Sequence, residues 1–251
     1  MARYKLILAY DGTRFEGSQR QLQKRTVQGE LEKALQKIGW TGRSAQLAGR
    51  TDSGVHAEGQ AASADLEWGH SPSELVAALN ANLPDDLAVR EAHEAPADFQ
   101  PRFDATSRLY RYRLFCDNVR EPTRERFLWR VWPQVNGDLL NEAAQVFVGK
   151  HDFASFGSAP TRGGSTVRTV MLSAWTKQNG EWQFQVRADA FLYRMVRRLV
   201  YVQVAVAQNR LTVENVRQAL NKKIPLLAGL APAHGLSLIE VNYSKEKMQV
   251  E

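Results

Sequence analysis

An aspartate flanked by an arginine, a serine and a histidine stands in the segment Gly49-Arg50-Thr51-Asp52-Ser53-Gly54-Val55-His56-Ala57, and several chemistries compete for it. His56-Ala57-Glu58 matches the H-x-E half of a zinc deaminase signature, but the other half needs two further cysteines and the chain has only Cys116. Ser53 beside Asp52 and His56 has the residue types of a serine hydrolase. There is no G-x-S-x-G elbow, however, and a triad is a matter of geometry rather than adjacency in sequence. Neither a G-x-x-x-x-G-K-[ST] nor a G-x-G-x-x-G cradle is present for a nucleotide cofactor. Arg162-Gly163-Gly164-Ser165 has the composition of an anion nest but reads first as a loop. Taken alone, Thr51-Asp52-Ser53-Gly54 reads as a polar turn in which Asp52 caps a backbone N–H.

The chain around this segment has 251 residues, 43% hydrophobic and 24% charged, which excludes disorder, collagen-like repeats and coiled-coil rods. That length suits one large or two medium domains. Lys plus Arg number 33 against 27 Asp plus Glu, a net charge of +6 that suits a polyanionic partner without specifying one. A single cysteine rules out an intrachain disulfide and a cysteine-based zinc finger, and fits a reducing cytoplasm. Residues 1–8 alternate instead of forming an apolar signal core, so secretion is not expected. Residues 191–207 form the most apolar later stretch. They carry Arg194, Arg197 and Arg198 and could not span a bilayer cheaply, so no membrane association is expected.

Local patterning predicts the elements that position the segment. A strand over 3–10 is followed by a turn at Asp11-Gly12, and a helix reads from Thr26 with Val27, Leu31, Leu35 and Ile38 at helical spacing. Ser71-Pro72-Ser73-Glu74 is a capping box with proline at the first helical position, and Pro84 stops the helix that follows. Residues 95–106 carry no period and read as a connection between an N-terminal half, 1–105, and a C-terminal half, 106–251. Beyond it Tyr110, Tyr112, Leu114 and Cys116 alternate with mostly basic neighbours as a strand. Helices are predicted over 138–148, 190–208 and 212–221, and strands over 167–176, 181–189 and 236–243. Strands alternating with helices in both halves predict α+β or α/β packing. In the 190–208 helix Phe191, Leu192, Met195, Val196, Leu199 and Val200 share one side and the three arginines the other. That basic side is either solvated or lines a cleft for phosphate or carboxylate.

The segment from Gly49 to Ala57 resembles the G-R-T-D-A-G-V-H-A loop of the TruA-type tRNA pseudouridine synthases at eight of nine positions, with Ser53 in place of alanine. Tyr10-Asp11-Gly12-Thr13 and Thr26-Val27-Gln28-Gly29-Glu30-Leu31-Glu32 resemble the family's opening blocks. Phe103-Asp104-Ala105-Thr106-Ser107-Arg108-Leu109-Tyr110-Arg111-Tyr112, His151-Asp152-Phe153-Ala154-Ser155-Phe156 and Arg168-Thr169-Val170 follow. Phe191-Leu192-Tyr193-Arg194-Met195-Val196-Arg197 and Ala231-Pro232-Ala233-His234-Gly235-Leu236 complete the series. The resemblance runs in order from about residue 3 to residue 243.

It implies an α+β fold of two similar halves sharing an extended antiparallel sheet flanked by helices, with a basic cleft between them. It implies isomerisation of uridine to pseudouridine at positions 38, 39 and 40 of the tRNA anticodon arm, by a cytoplasmic homodimer. The reaction has no net redox change, so no metal or coenzyme is implied. In the family's pattern the G-R-T-D aspartate is the catalytic carboxylate, here Asp52, needed because breaking the glycosidic bond leaves C1′ electron-poor. Burial alone would push such a carboxyl toward its neutral form, and a guanidinium opposes this. The M-V-R arginine of the pattern is Arg197. The tyrosine that stacks on the flipped uracil maps to Tyr110, with Tyr112 as its rival two residues on, and Arg50 maps to the arginine that fills the flipped nucleotide's place. His56 reads as structural, and Arg194 and Arg198 as available for phosphates. The family's G-W-Q is Gly17-Ser18-Gln19 here, F-H-A-R is Phe99-Gln100-Pro101-Arg102, and the glycines soon after M-V-R are absent. A non-catalytic RNA-binding protein on the same scaffold is the alternative.

Overall fold

The structure is a computed structural model that describes residues 1–222, 224 and 226–244. Residues 223, 225 and 245–251, all assigned from sequence to the C-terminal half, lie outside the described residues. In chain order β1 (Ala2–Tyr10) leads to α1 (Val27–Lys37), β2 (Gln46–Leu47), β3 (His56–Leu66), α2 (Pro72–Asn80) and β4 (Leu87–Ala95). Then come β5 (Ala105–Cys116), β6 (Trp129–Val131), α3 (Gly137–Gln145), β7 (Gly149–Asp152), β8 (Val167–Gln178) and β9 (Glu181–Ala188). The described chain closes with α4 (Met195–Ala207), α5 (Val213–Lys222) and β10 (Leu236–Tyr243). It is a mixed α/β fold whose strands pair mostly antiparallel. No helix among the described residues is long and apolar enough to cross a membrane.

Two compact units divide the chain, one formed by Met1–Ser107 with the segment beginning at Leu238, the other by Arg108–Ser237. In the first unit the strand order is β4-β1-β3-β10, with β2 paired to β3. The alternation in β1 turns Tyr4, Leu6, Leu8 and Tyr10 into the core. Across the ladder Tyr4 faces Ala64 and Leu6 faces Ala62, so bulky residues meet small ones. The residues of β3 are buried on nearly every position, and at Gly59 an added Cβ would lie 2.3 Å from the Ile239 carbonyl oxygen of β10. Local signals set the helix starts. The Thr26 hydroxyl accepts the Gly29 N–H at the head of α1. Ser71 and Glu74 form the capping box that the sequence predicts for α2.

In the second unit β5, β9, β8 and β7 pair in that order, with β6 parallel to β5. The β8–β9 hairpin turns at Asn179-Gly180, both at positive φ, the signature of a two-residue primed turn. Phe147, Phe153 and Phe156 form an aromatic cluster with no appreciable exposure.

Helix α4 departs from the expectation at its start. It starts at Met195 rather than 190, because Arg194 sits at φ 62, in the left-handed region that breaks the helical ladder. Tyr193 just before it is tied to Ser158 in an isolated antiparallel bridge, its N–H donating to the Ser158 carbonyl at 2.9 Å. Along α4 the apolar side expected from sequence is buried at Met195, Val196, Leu199 and Val200, Arg197 and Arg198 are half-buried, and every residue from Val202 to Ala207 is buried. Even Gln203 is fully buried, accepting the Trp175 indole N–H at 2.7 Å and donating to the Leu199 carbonyl.

Candidate active site

Arg50 and Asp52 lie in the loop that carries the chain from β2 to β3 in the first unit. Arg50 is exposed, Asp52 half-buried and Ser53 exposed, so the loop offers two charged side chains on a buried backbone. The Val55 N–H donates to the Asp52 carbonyl at 3.2 Å, and Gly54 takes the positive φ that this turn requires.

The loop is fastened to the segment that follows β1. Ser53 Oγ donates to the Phe15 carbonyl at 3.2 Å, and the Gly54 N–H donates to the same oxygen. Thr51 is bonded at both backbone groups by Ser18, and its hydroxyl lies 2.9 Å from the Tyr10 hydroxyl. Gly12 packs so closely that an added Cβ would stand 2.0 Å from the Val55 carbonyl oxygen. Its N–H donates to Nδ1 of His56, which is buried, at 3.0 Å. The histidine thus anchors the end of the loop through its ring. The sequence marks the loop but not these fasteners; the block Tyr10-Asp11-Gly12-Thr13 and the departure at Gly17-Ser18-Gln19 stand where they lie.

Tyr10 gives the clamp a titration signature. Burial raises its hydroxyl to about 12, against opposing hydrogen bonds from Thr51 and Gln60. The unfolded chain loses that proton near 10, so above pH 10 unfolding releases a proton that the folded protein keeps. Stability therefore falls as pH rises from about 10 to about 12, by on the order of 3 kcal/mol for this residue. Tyr10→Phe is expected to flatten that part of the alkaline limb, read as melting temperature against pH; an unchanged limb would contradict the assignment.

Tyr110 and Arg197 belong to the second unit. Tyr110 on β5 meets Phe191 edge to face, ring centroids 5.0 Å apart. Its rival Tyr112 is fully buried, donates its hydroxyl to the Pro232 carbonyl at 2.9 Å, and packs so tightly against Gly235 that a Cβ there would touch its ring. Tyr112 is accordingly a core residue, its hydroxyl raised far above the usual tyrosine range by burial, with Arg197 opposing. Arg197 on α4 donates from Nε to the Ala231 carbonyl at 2.8 Å. Burial, with the Arg197 charge as a lesser cause, keeps His234 below the ordinary imidazole value.

Arg198 corrects the expectation that it serves phosphates. Its guanidinium donates to the carbonyls of Leu227 at 2.6 Å, Gly229 at 2.8 Å and Leu226 at 3.2 Å, so it stitches a connecting segment to α4. Arg194, before the helix, is exposed and stacks over the Tyr193 ring at 4.8 Å.

Residues 6–104 and 143–244 match the family model described as tRNA pseudouridine synthase. The chain belongs to that family. It is 40% identical over 247 residues to tRNA pseudouridine synthase A of Methylacidiphilum infernorum (isolate V4), with 97% of this chain and 96% of that one covered. It is also 39% identical to tRNA pseudouridine synthase A of Limosilactobacillus fermentum, covering 97% and 96%, and 41% identical to that of Geobacillus kaustophilus, covering 97% and 95%.

Proposed function

We propose that the protein isomerises uridine to pseudouridine in tRNA, with Asp52 as the catalytic carboxylate. The N1–C1′ bond of the uridine breaks with its electron pair going to N1, the uracil turns, C5 bonds to C1′, and the proton lost from C5 is balanced by one taken up at N1. Positive character at C1′ is what the Asp52 carboxylate opposes. Tyr110 stacks on the uracil once it leaves the helical stack, Arg50 fills the place it vacates, and Arg197 holds charge on the reacting group. The preferred substrates are uridines 38, 39 and 40 of the anticodon arm, and the working form is a cytoplasmic homodimer. The observation that carries the reading is the tightly fastened Gly49–Ala57 loop with its half-buried aspartate, in a chain that matches the family model on both sides of Asp52. The net charge of +6 supports an RNA substrate.

Carbodiimide labelling and primer extension on an unmodified tRNA transcript test the positions. Stops are expected at 38, 39 or 40 wherever uridine stands there, and none after those uridines are changed to cytidine. Stops confined to other loops would overturn the anticodon-arm assignment.

A further inference from the structure

We propose that Ser18 is the positioning residue that aims the Asp52 loop, a role that rests on the reading of Asp52 as the catalytic carboxylate. Ser18 has no solvent exposure. Its Oγ accepts the Thr51 N–H at 2.8 Å, and its own N–H donates to the Thr51 carbonyl at 3.1 Å. One residue therefore grips both backbone groups of the residue immediately before Asp52.

Ser18 is itself held. Its carbonyl accepts the Gln28 N–H, from the first turn of α1, at 2.9 Å. Gly17 beside it takes φ +93, and a Cβ there would lie 3.0 Å from the Thr51 carbonyl oxygen, so the two segments meet with no side chain between them. The Thr51 hydroxyl, paired with Tyr10, completes the restraint. With its N–H, carbonyl and hydroxyl all engaged, Thr51 is fixed in orientation, and the direction in which the chain enters Asp52 is fixed with it.

The chemistry of position 18 is specific. The residue must accept a hydrogen bond and must be small enough for a closed site. An indole, which stands at this place in the family's pattern, offers a donor and no acceptor for the Thr51 N–H. The departure at Ser18 is thus matched to how this chain holds its loop. A buried residue of this kind acts on the reacting geometry rather than on RNA binding, and small errors in that geometry are expensive in rate.

The test compares wild type, Ser18→Ala, Ser18→Thr and Asp52→Ala in single-turnover pseudouridine formation, with tRNA affinity and thermal melting measured on each. Ser18→Ala is expected to slow the chemical step by at least about tenfold, with tRNA affinity within about twofold of wild type. Ser18→Thr, which restores the acceptor, is expected to recover most of the rate. Ser18→Ala that is folded and within twofold of the wild-type rate overturns the proposal, as does a folded Ser18→Thr as slow as Ser18→Ala. Loss of the folded state in both variants assigns Ser18 to the core alone and overturns it too. An active Asp52→Ala overturns the catalytic reading and the inference together. An inactive Asp52→Ala beside an unimpaired Ser18→Ala overturns the inference only.

Discussion

Asp52→Asn is expected to lower the rate of pseudouridine formation by at least about 1,000-fold while tRNA affinity stays within about threefold of wild type. Removing one essential member of a reacting group costs this order because the loss falls on the transition state and not on ground-state binding. The substitution keeps the shape of the side chain and removes only its charge, and the half-buried side chain sits on a backbone held by Ser18, Phe15 and the Val55 N–H. A collapsed loop is therefore not the expected cause of the loss. Single-turnover rates and filter binding on the same preparations separate the two effects. An Asp52→Asn protein with the wild-type rate would remove the carboxylate from the mechanism. Equal losses of rate and affinity would make Asp52 a binding residue.

The second large effect is expected at Gly12. An alanine Cβ there would lie 2.0 Å from the Val55 carbonyl oxygen and 2.5 Å from its carbon, and these are backbone atoms that cannot swing aside as a side-chain tip can. The Gly12 N–H bond to His56 holds the two segments together from the other side. The loop must retreat, at a cost of about 1–3 kcal/mol in stability as for other overpacked sites. A shift of about 1 Å in the reacting carboxylate lowers the rate by about 100-fold. Gly69→Ala is the control, since a Cβ at Gly69 meets nothing within 4 Å. Gly12→Ala should lower both melting temperature and rate, whereas Gly69→Ala should leave the rate unchanged. A Gly12→Ala protein with wild-type melting and rate would contradict the clamp.

What could be read ahead of the structure depended on how local each signal is. Thr26 and the Ser71–Glu74 box mark the starts of α1 and α2 because capping bonds span only three residues. Strands β8 and β9 were read over 167–176 and 181–189, whereas the Asn179-Gly180 turn that joins them was not singled out. Strand β3 was not legible, because its run of alanines is buried on both faces and shows neither alternation nor β-branched residues. The start of α4 was hidden as well. Phe191 and Leu192 continue the helical period, and only the bridge of Tyr193 to Ser158 and the left-handed Arg194 show where the helix begins.

The candidate site divides along the same line. Arg50 and Asp52 stand out as a motif, and Tyr110 and Arg197 follow from blocks that match in order. Ser18 read only as a missing tryptophan, since its partner Thr51 is 33 residues away and a hydrogen bond at that distance leaves no pattern in the chain. Arg198 read as a free cation for the same reason: its charge is visible in sequence, but the carbonyls of Leu226, Leu227 and Gly229 that accept from it are not.

The most direct measurement of the central claim is tritium release from a tRNA transcript labelled at uridine C5, with an unlabelled transcript treated in parallel and weighed by mass spectrometry. Isomerisation predicts release of the label from each uridine converted, at unchanged mass of the unlabelled RNA. Label retained while the protein binds the tRNA, or release accompanied by a change in mass, would contradict it.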